Sequence, residues 1–130
     1  MKILVAYDGS GPAKNALALA AKYAKSFDAK VYVMTSMKGG PSEKPDDIKK
    51  AESELEHAKS VLDAAKISYD ARQIVRGLEP GEDIVRFSKE NAIDVILVGI
   101  EKKSRVGKFV FGSTAQYVIL EAECPVVSVK

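Results

Sequence analysis

Residues 3–34, ILVAYDGSGPAKNALALAAKYAKSFDAKVYVM, set two apolar runs on either side of a polar turn and an alanine-rich segment. The first run, Ile3 to Tyr7, shows no polar alternation, as expected of a strand covered on both faces of a parallel sheet. Asp8-Gly9-Ser10-Gly11-Pro12 ends it with strong turn residues. Ala13, Ala16, Leu17, Ala20, Tyr23, Ala24 and Phe27 then recur at helical spacing, which predicts an amphipathic helix over 13–27. Val31 to Met34 is a second strand. Strand, crossover helix and strand form a parallel βαβ unit, and this unit sets the class of the chain as α/β.

The rest repeats the theme. Residues 36–47 are rich in glycine, proline and charge and read as an exposed loop. Ile48, Ala51, Leu55, Ala58, Leu62 and Ala65 then make one narrow apolar stripe on a long helix. The repeat is under three heptads and half alanine, so it packs on a sheet and is not a coiled-coil seam. His57 lies off the stripe among charged residues and reads as solvated. Tyr69 to Val75 alternates polar and apolar residues, as an edge strand does. Gly77 to Pro80 turns the chain into a third helix reaching about Asn91. Asp94 to Val98 is a fourth strand, Ser113 to Glu121 a fourth helix and Pro125 to Val129 a fifth strand.

No repeat or composition break divides the chain, so one domain over residues 1–130 is expected. Alternating strands and helices imply a parallel sheet with helices on both faces. Strands 1 and 4 are the most uniformly apolar and are expected at its centre. Ligands of open α/β sheets bind beyond the carboxyl ends of the strands, where strand order reverses, so Asp8 and Gly99 should face one crevice.

Twenty Lys+Arg against eighteen Asp+Glu leave a net charge of +2, too balanced for nucleic acid to be the main partner. No apolar run approaches the ~18 residues of a membrane span. With the first strand opening at Ile3, no secretory leader is expected, and a cytoplasmic location follows as an expectation. The single cysteine, Cys124, excludes an internal disulfide.

The turn after strand 1 has the first two spacings of GxGxxG in Gly9 and Gly11, but Lys14 stands where the third glycine belongs. Strand 2 runs into Thr35 and Ser36 and offers no acid for a ribose. A dinucleotide fingerprint is therefore absent. The paired acids of a phospho-accepting receiver domain and the aromatic residues that sandwich a flavin are missing too. Two readings of Asp8 and Ser10 stay open. They cap the turn, satisfying backbone N–H groups, or the Asp8 carboxylate accepts from an adenine amine or a ribose hydroxyl at a crevice mouth.

The loop after strand 4, VGIEKKSRVGKFVFGST over 98–114, ends where a helix begins. A helix N-terminus offers unpaired N–H groups and about half a positive charge, which favours an anion. Gly112 lets a phosphate approach the backbone, and the Ser113 and Thr114 hydroxyls can donate to it. Lys102, Lys103, Arg105 and Lys108 against Glu101 add a cationic field.

These residues carry a resemblance. Tyr7-Asp8-Gly9-Ser10, Gly77 and Pro80, DVILVG at 94–99, GKFVFGSTAQYVI at 107–119 and CPVVSV at 124–129 together resemble the universal stress proteins of the single-domain A type, over nearly the whole chain. The resemblance implies a flavodoxin-like, adenine nucleotide alpha hydrolase-like sheet of five parallel strands in the order 3-2-1-4-5. It also implies a homodimer, a stress-response role and, in many members, an ATP site, with Mg²⁺ accompanying the nucleotide. The family's signature is G-x2-G-x9-G-[S/T]. Gly99, Gly112 and Ser113 fill three of its positions, and Lys102 stands in place of the second glycine. Carried over, Asp8 contacts the adenosine, Ala6 and Tyr7 line its pocket, and Ser36, just past strand 2, lies near the adenine. Gly99, Gly112, Ser113 and Thr114 hold ribose and phosphates. A side chain at 102 costs ~1–2 kcal/mol if the glycine served a left-handed backbone, while the Lys102 ammonium offers a point charge to the phosphates. No residue is assigned a catalytic or metal-ligating role, and slow ATP hydrolysis is the most that is expected by way of turnover. The other reading is a dimeric scaffold without nucleotide. Val126 to Val129 ends at a sheet edge without charge or proline to protect it, which predicts pairing with the same strand of a second copy.

Overall fold

The computed structural model describes residues 1–41, 43–101, 103–105, 108–110 and 112–130, with 103–105 and 108–110 described by their backbone. Five parallel strands, β1 (Lys2–Ala6), β2 (Lys30–Met37), β3 (Tyr69–Val75), β4 (Val95–Gly99) and β7 (Val126–Val129), form one sheet in the order β3-β2-β1-β4-β7. This is the 3-2-1-4-5 order expected from the resemblance. β1 pairs with β2 from Lys2↔Lys30 to Ala6↔Met34, and with β4 from Ile3↔Val95 to Ala6↔Val98. Strand order reverses at β1, so its carboxyl end borders both β2 and β4.

Helices α1 (Gly11–Phe27), α2 (Pro45–Ala64), α3 (Pro80–Glu90) and α4 (Ser113–Glu121) cover both faces. Alternation along the strands divides the core accordingly. Ile3, Val5, Tyr7, Val31, Val33 and Leu97 join α1 and α2 residues such as Leu17, Leu55 and Leu62. Leu4, Met34 and Ile96 join Ile84, Val85 and Phe87 of α3 and Val118 of α4. Ile3, Leu4, Val5, Val31, Ile96 and Leu97 are each 0% exposed, which explains why strands 1 and 4 carry no polar alternation.

Several boundaries differ from the sequence reading, and α2 begins at Pro45, inside the stretch 36–47 read as loop. α1 begins at Gly11, because Pro12 suits a first helical turn and Ser10 caps it. β2 runs through Thr35, Ser36 and Met37, paired in register with Gln73, Ile74 and Val75 of β3, so Ser36 lies inside the strand and not just past it. Within the loop after β4, β5 (Lys103–Arg105) and β6 (Lys108–Val110) pair antiparallel as a two-stranded ribbon where no strand was expected. No helix among the described residues is long and apolar enough to cross a membrane.

Candidate functional site

The carboxyl ends of β1, β2 and β4 open into a crevice of about 480 Å³, within the range of small-molecule sites. Its floor follows from strand alternation. Met34 of β2 and Val98 of β4 are the register partners of Ala6 on either side, so the three share one sheet face, and Ile84 of α3 completes an apolar surface. The rim is polar: Asp8 and Ser10 from the turn after β1, Ser36 from β2, Glu101 beyond β4, and Ser113 and Thr114 at the start of α4.

The crevice therefore brings together Ala6, Tyr7, Asp8, Ser36, Gly99, Gly112, Ser113 and Thr114. Lys102 lies outside the described residues, while Lys103 and Arg105 fall on β5 and Lys108 on β6.

Two helix N-termini meet at this crevice in different states. At α1, Ser10 Oγ accepts from the Ala13 N–H at 3.3 Å, and Asp8 Oδ1 accepts from the Ser10 N–H at 3.0 Å. The capping reading of Asp8 and Ser10 thus describes real hydrogen bonds, and the second Asp8 carboxylate oxygen has no protein donor among the described residues. Gly9 in this turn has φ +77, a left-handed conformation that favours glycine, and a Cβ there would meet only the end of the flexible Glu54 side chain of α2. At α4, Gly112 sits at the N-cap with φ −60, and no side chain among the described residues caps the helix. A Cβ on Gly112 would meet no atom of the described residues within 4 Å, and its φ is one any residue adopts.

Gly99 has a packing reason. A Cβ there would lie 2.6 Å from the Ala13 nitrogen and 2.7 Å from the Pro12 carbonyl carbon. Its absence lets the end of β4 press against the first turn of α1 and brings both chain reversals to one place.

Tyr7 closes the end of β1. Its N–H donates to Met34 O at 2.9 Å, and its carbonyl accepts from Thr35 Oγ1 at 3.0 Å. The side chain belongs to the core cluster with α1 and α2, with a hydroxyl that has no hydrogen-bond partner among the described residues. Burial pushes the phenol above its ordinary value of 10.0, and the charges of Glu54 and Asp8 push the same way.

Sequence reasoning missed the polar cluster behind Ser36. Asp83, in the first turn of α3, is 0% exposed. Its carboxylate accepts from Ser36 Oγ at 2.5 Å and from the Arg76 guanidinium. Arg76 also pairs with Glu90 at 3.0 Å. An acid in a helix's first turn reads as a dipole partner in solvent, and only the neighbouring arginine hinted at burial. The apolar floor was missed for a simpler reason. Met34 and Val98 were visible as strand residues, and carrying the alternation to the strand ends would have placed them beside Ala6.

A model of the Universal stress protein family matches residues 1–130. The fold is similar to that of a universal stress protein from Archaeoglobus fulgidus, with a TM-score of 0.88 and 37% identity over 99% of this chain and 96% of that one. It is also similar to the structure of the universal stress protein from Archaeoglobus fulgidus in complex with dAMP, with a TM-score of 0.81 and 33% identity over 99% of this chain and 95% of that one. A universal stress protein of Synechocystis sp. is 32% identical over 127 residues. That match takes in 98% of this chain and 42% of the Synechocystis protein, so this chain spans less than half that protein's length.

Proposed function

The chain belongs to the universal stress protein family, and from that premise we propose that its crevice binds an adenine nucleotide, ATP with its Mg²⁺, as part of a stress-response role. The observation that carries this reading is the pairing of a helix N-terminus, uncapped among the described residues, with an apolar floor in one cavity. The α4 N-terminus suits phosphate oxygens, with Gly112 leaving space and Ser113 and Thr114 bringing hydroxyls. Ala6, Met34, Ile84 and Val98 suit the face of a base. From β2 to β4 the crevice spans two strand spacings, about 10 Å, on the scale of a nucleoside. Asp8, with one oxygen unengaged among the described residues, stands between them to accept from a ribose hydroxyl. The dAMP complex of the Archaeoglobus fulgidus protein supports the choice of an adenine base.

The test is calorimetric titration of nucleotide-free protein with ATP and Mg²⁺. A saturable heat is expected; no heat and no thermal shift at millimolar ATP would mean a scaffold without nucleotide.

The partner we assign is a second copy. β7 forms an edge of the sheet, with part-buried Val126, Val127 and Val129, and α4 beside it exposes Tyr117, Ile119 and Leu120. Pairing β7 with its own copy satisfies the edge and closes a two-fold dimer. Sedimentation velocity reads this directly: a dimer's mass is expected, and a monomer at tens of micromolar would overturn it.

A further inference from the structure

Ser36 and Asp83 place a further requirement on whatever occupies the apolar end of the crevice. The Asp83 carboxylate is fully buried and paired with Arg76, so it offers only lone pairs. The proton in its short contact with Ser36 Oγ is therefore the serine's own. A hydroxyl has one proton to give. With that proton committed to Asp83, Ser36 meets the crevice as an acceptor and nothing else. It does so beside Met34 and Ile84, where an acceptor covered by an apolar ring and left unpaired is costly.

We infer that Arg76 and Asp83 are positioning residues that hold Ser36 as a fixed acceptor for the exocyclic amine of the bound adenine. This rests on the nucleotide reading above. Phosphates at α4 direct the sugar toward β1, and the ring edge farthest from the sugar then reaches β2. On that edge adenine carries one donor, the 6-amine, next to the acceptor N1. A purine lacking the amine has no donor there and leaves Ser36 unpaired. Arg76 keeps the arrangement in place through its bonds to the Asp83 carboxylate and to Glu90.

The experiment compares ATP with purine riboside triphosphate, which has hydrogen in place of the 6-amine, on folded full-length protein and two variants. Wild type is expected to favour ATP by about tenfold. In Ser36→Ala the preference falls toward one, because no acceptor remains to be stranded. Asp83→Asn discriminates a positioning role from a structural one. The asparagine amide nitrogen donates to Ser36 Oγ while its oxygen still accepts from Arg76, which frees the serine proton for the ring N1. The preference then shrinks because the analogue binds more tightly, with ATP little changed, whereas a structural lesion weakens both ligands. If Asp83→Asn does not fold, the Ser36→Ala ratio decides alone. A wild-type ratio near one, or variants that keep the wild-type ratio, overturn this inference and leave nucleotide binding standing. Failure of wild type to bind either ligand overturns both.

Discussion

The N-termini of α1 and α4 face the same crevice, yet one is finished by the protein and the other is not. α1 has a serine cap, an aspartate turn beneath it and a glycine at positive φ. α4 has Gly112, uncapped and in open space among the described residues, in a conformation any residue can adopt. A helix start with its donors satisfied contributes to stability, and one with donors left open is available to an anion. Stability and binding therefore separate between these two places, and substitutions can exchange their roles.

The largest effect is expected where the two meet. Gly99→Val forces a side chain against the Pro12 and Ala13 backbone and should lower unfolding free energy by about 3 kcal/mol, read from denaturant midpoints. Next comes Gly112→Asp, which gives α4 the kind of cap α1 already has. Stability should rise by about 0.5 kcal/mol. ATP affinity should fall roughly a hundredfold, since a fixed carboxylate occupies the donors and repels the phosphates. Gains in both quantities would contradict the assignment of α4. The reciprocal change, Ser10→Ala, should cost about 1 kcal/mol of stability. Its ATP affinity, measured by calorimetry, should stay within roughly threefold of wild type, because the cap is turned to its own helix.

The smallest effect concerns Tyr7. Tyr7→Phe removes a buried hydroxyl without a partner among the described residues, so stability near neutral pH should change by only about 0.5 kcal/mol, in the variant's favour. The sign reverses nowhere at high pH. The native phenol titrates above 10.0, so between 10.0 and that higher value the folded protein holds a proton the unfolded chain has released. Wild-type stability then falls as pH rises past 10.0, and the advantage of the phenylalanine variant widens. Unfolding curves for both proteins at pH 8 and pH 11 provide the check.

Much of this was legible in the residues because the signals were local. Unalternated Ile3 to Tyr7 and Val95 to Val98 announced buried central strands, and Tyr69 to Val75 announced an edge. The α4 boundaries followed from Gly112-Ser113. What escaped was set by contacts distant in sequence. Thr35 to Met37 look like the start of a loop, and only pairing with Gln73 to Val75 makes them strand. The β5–β6 ribbon is three residues to a side, too short for periodicity to register. Asp83 carries no mark of burial, since Arg76 and Ser36 come to it from separate strand ends. Gly99 fitted a nucleotide motif, while its geometry answers first to the backbone of α1.

The contrast between the two helix starts is tested most directly by titrating ATP into isotope-labelled protein and following backbone amide resonances. Shifts at Ser113, Thr114 and Ala115 that exceed those at Gly11 and Ala13, and that saturate together, are the expected result. Saturable shifts centred on α1, with the α4 amides unmoved, would contradict the account.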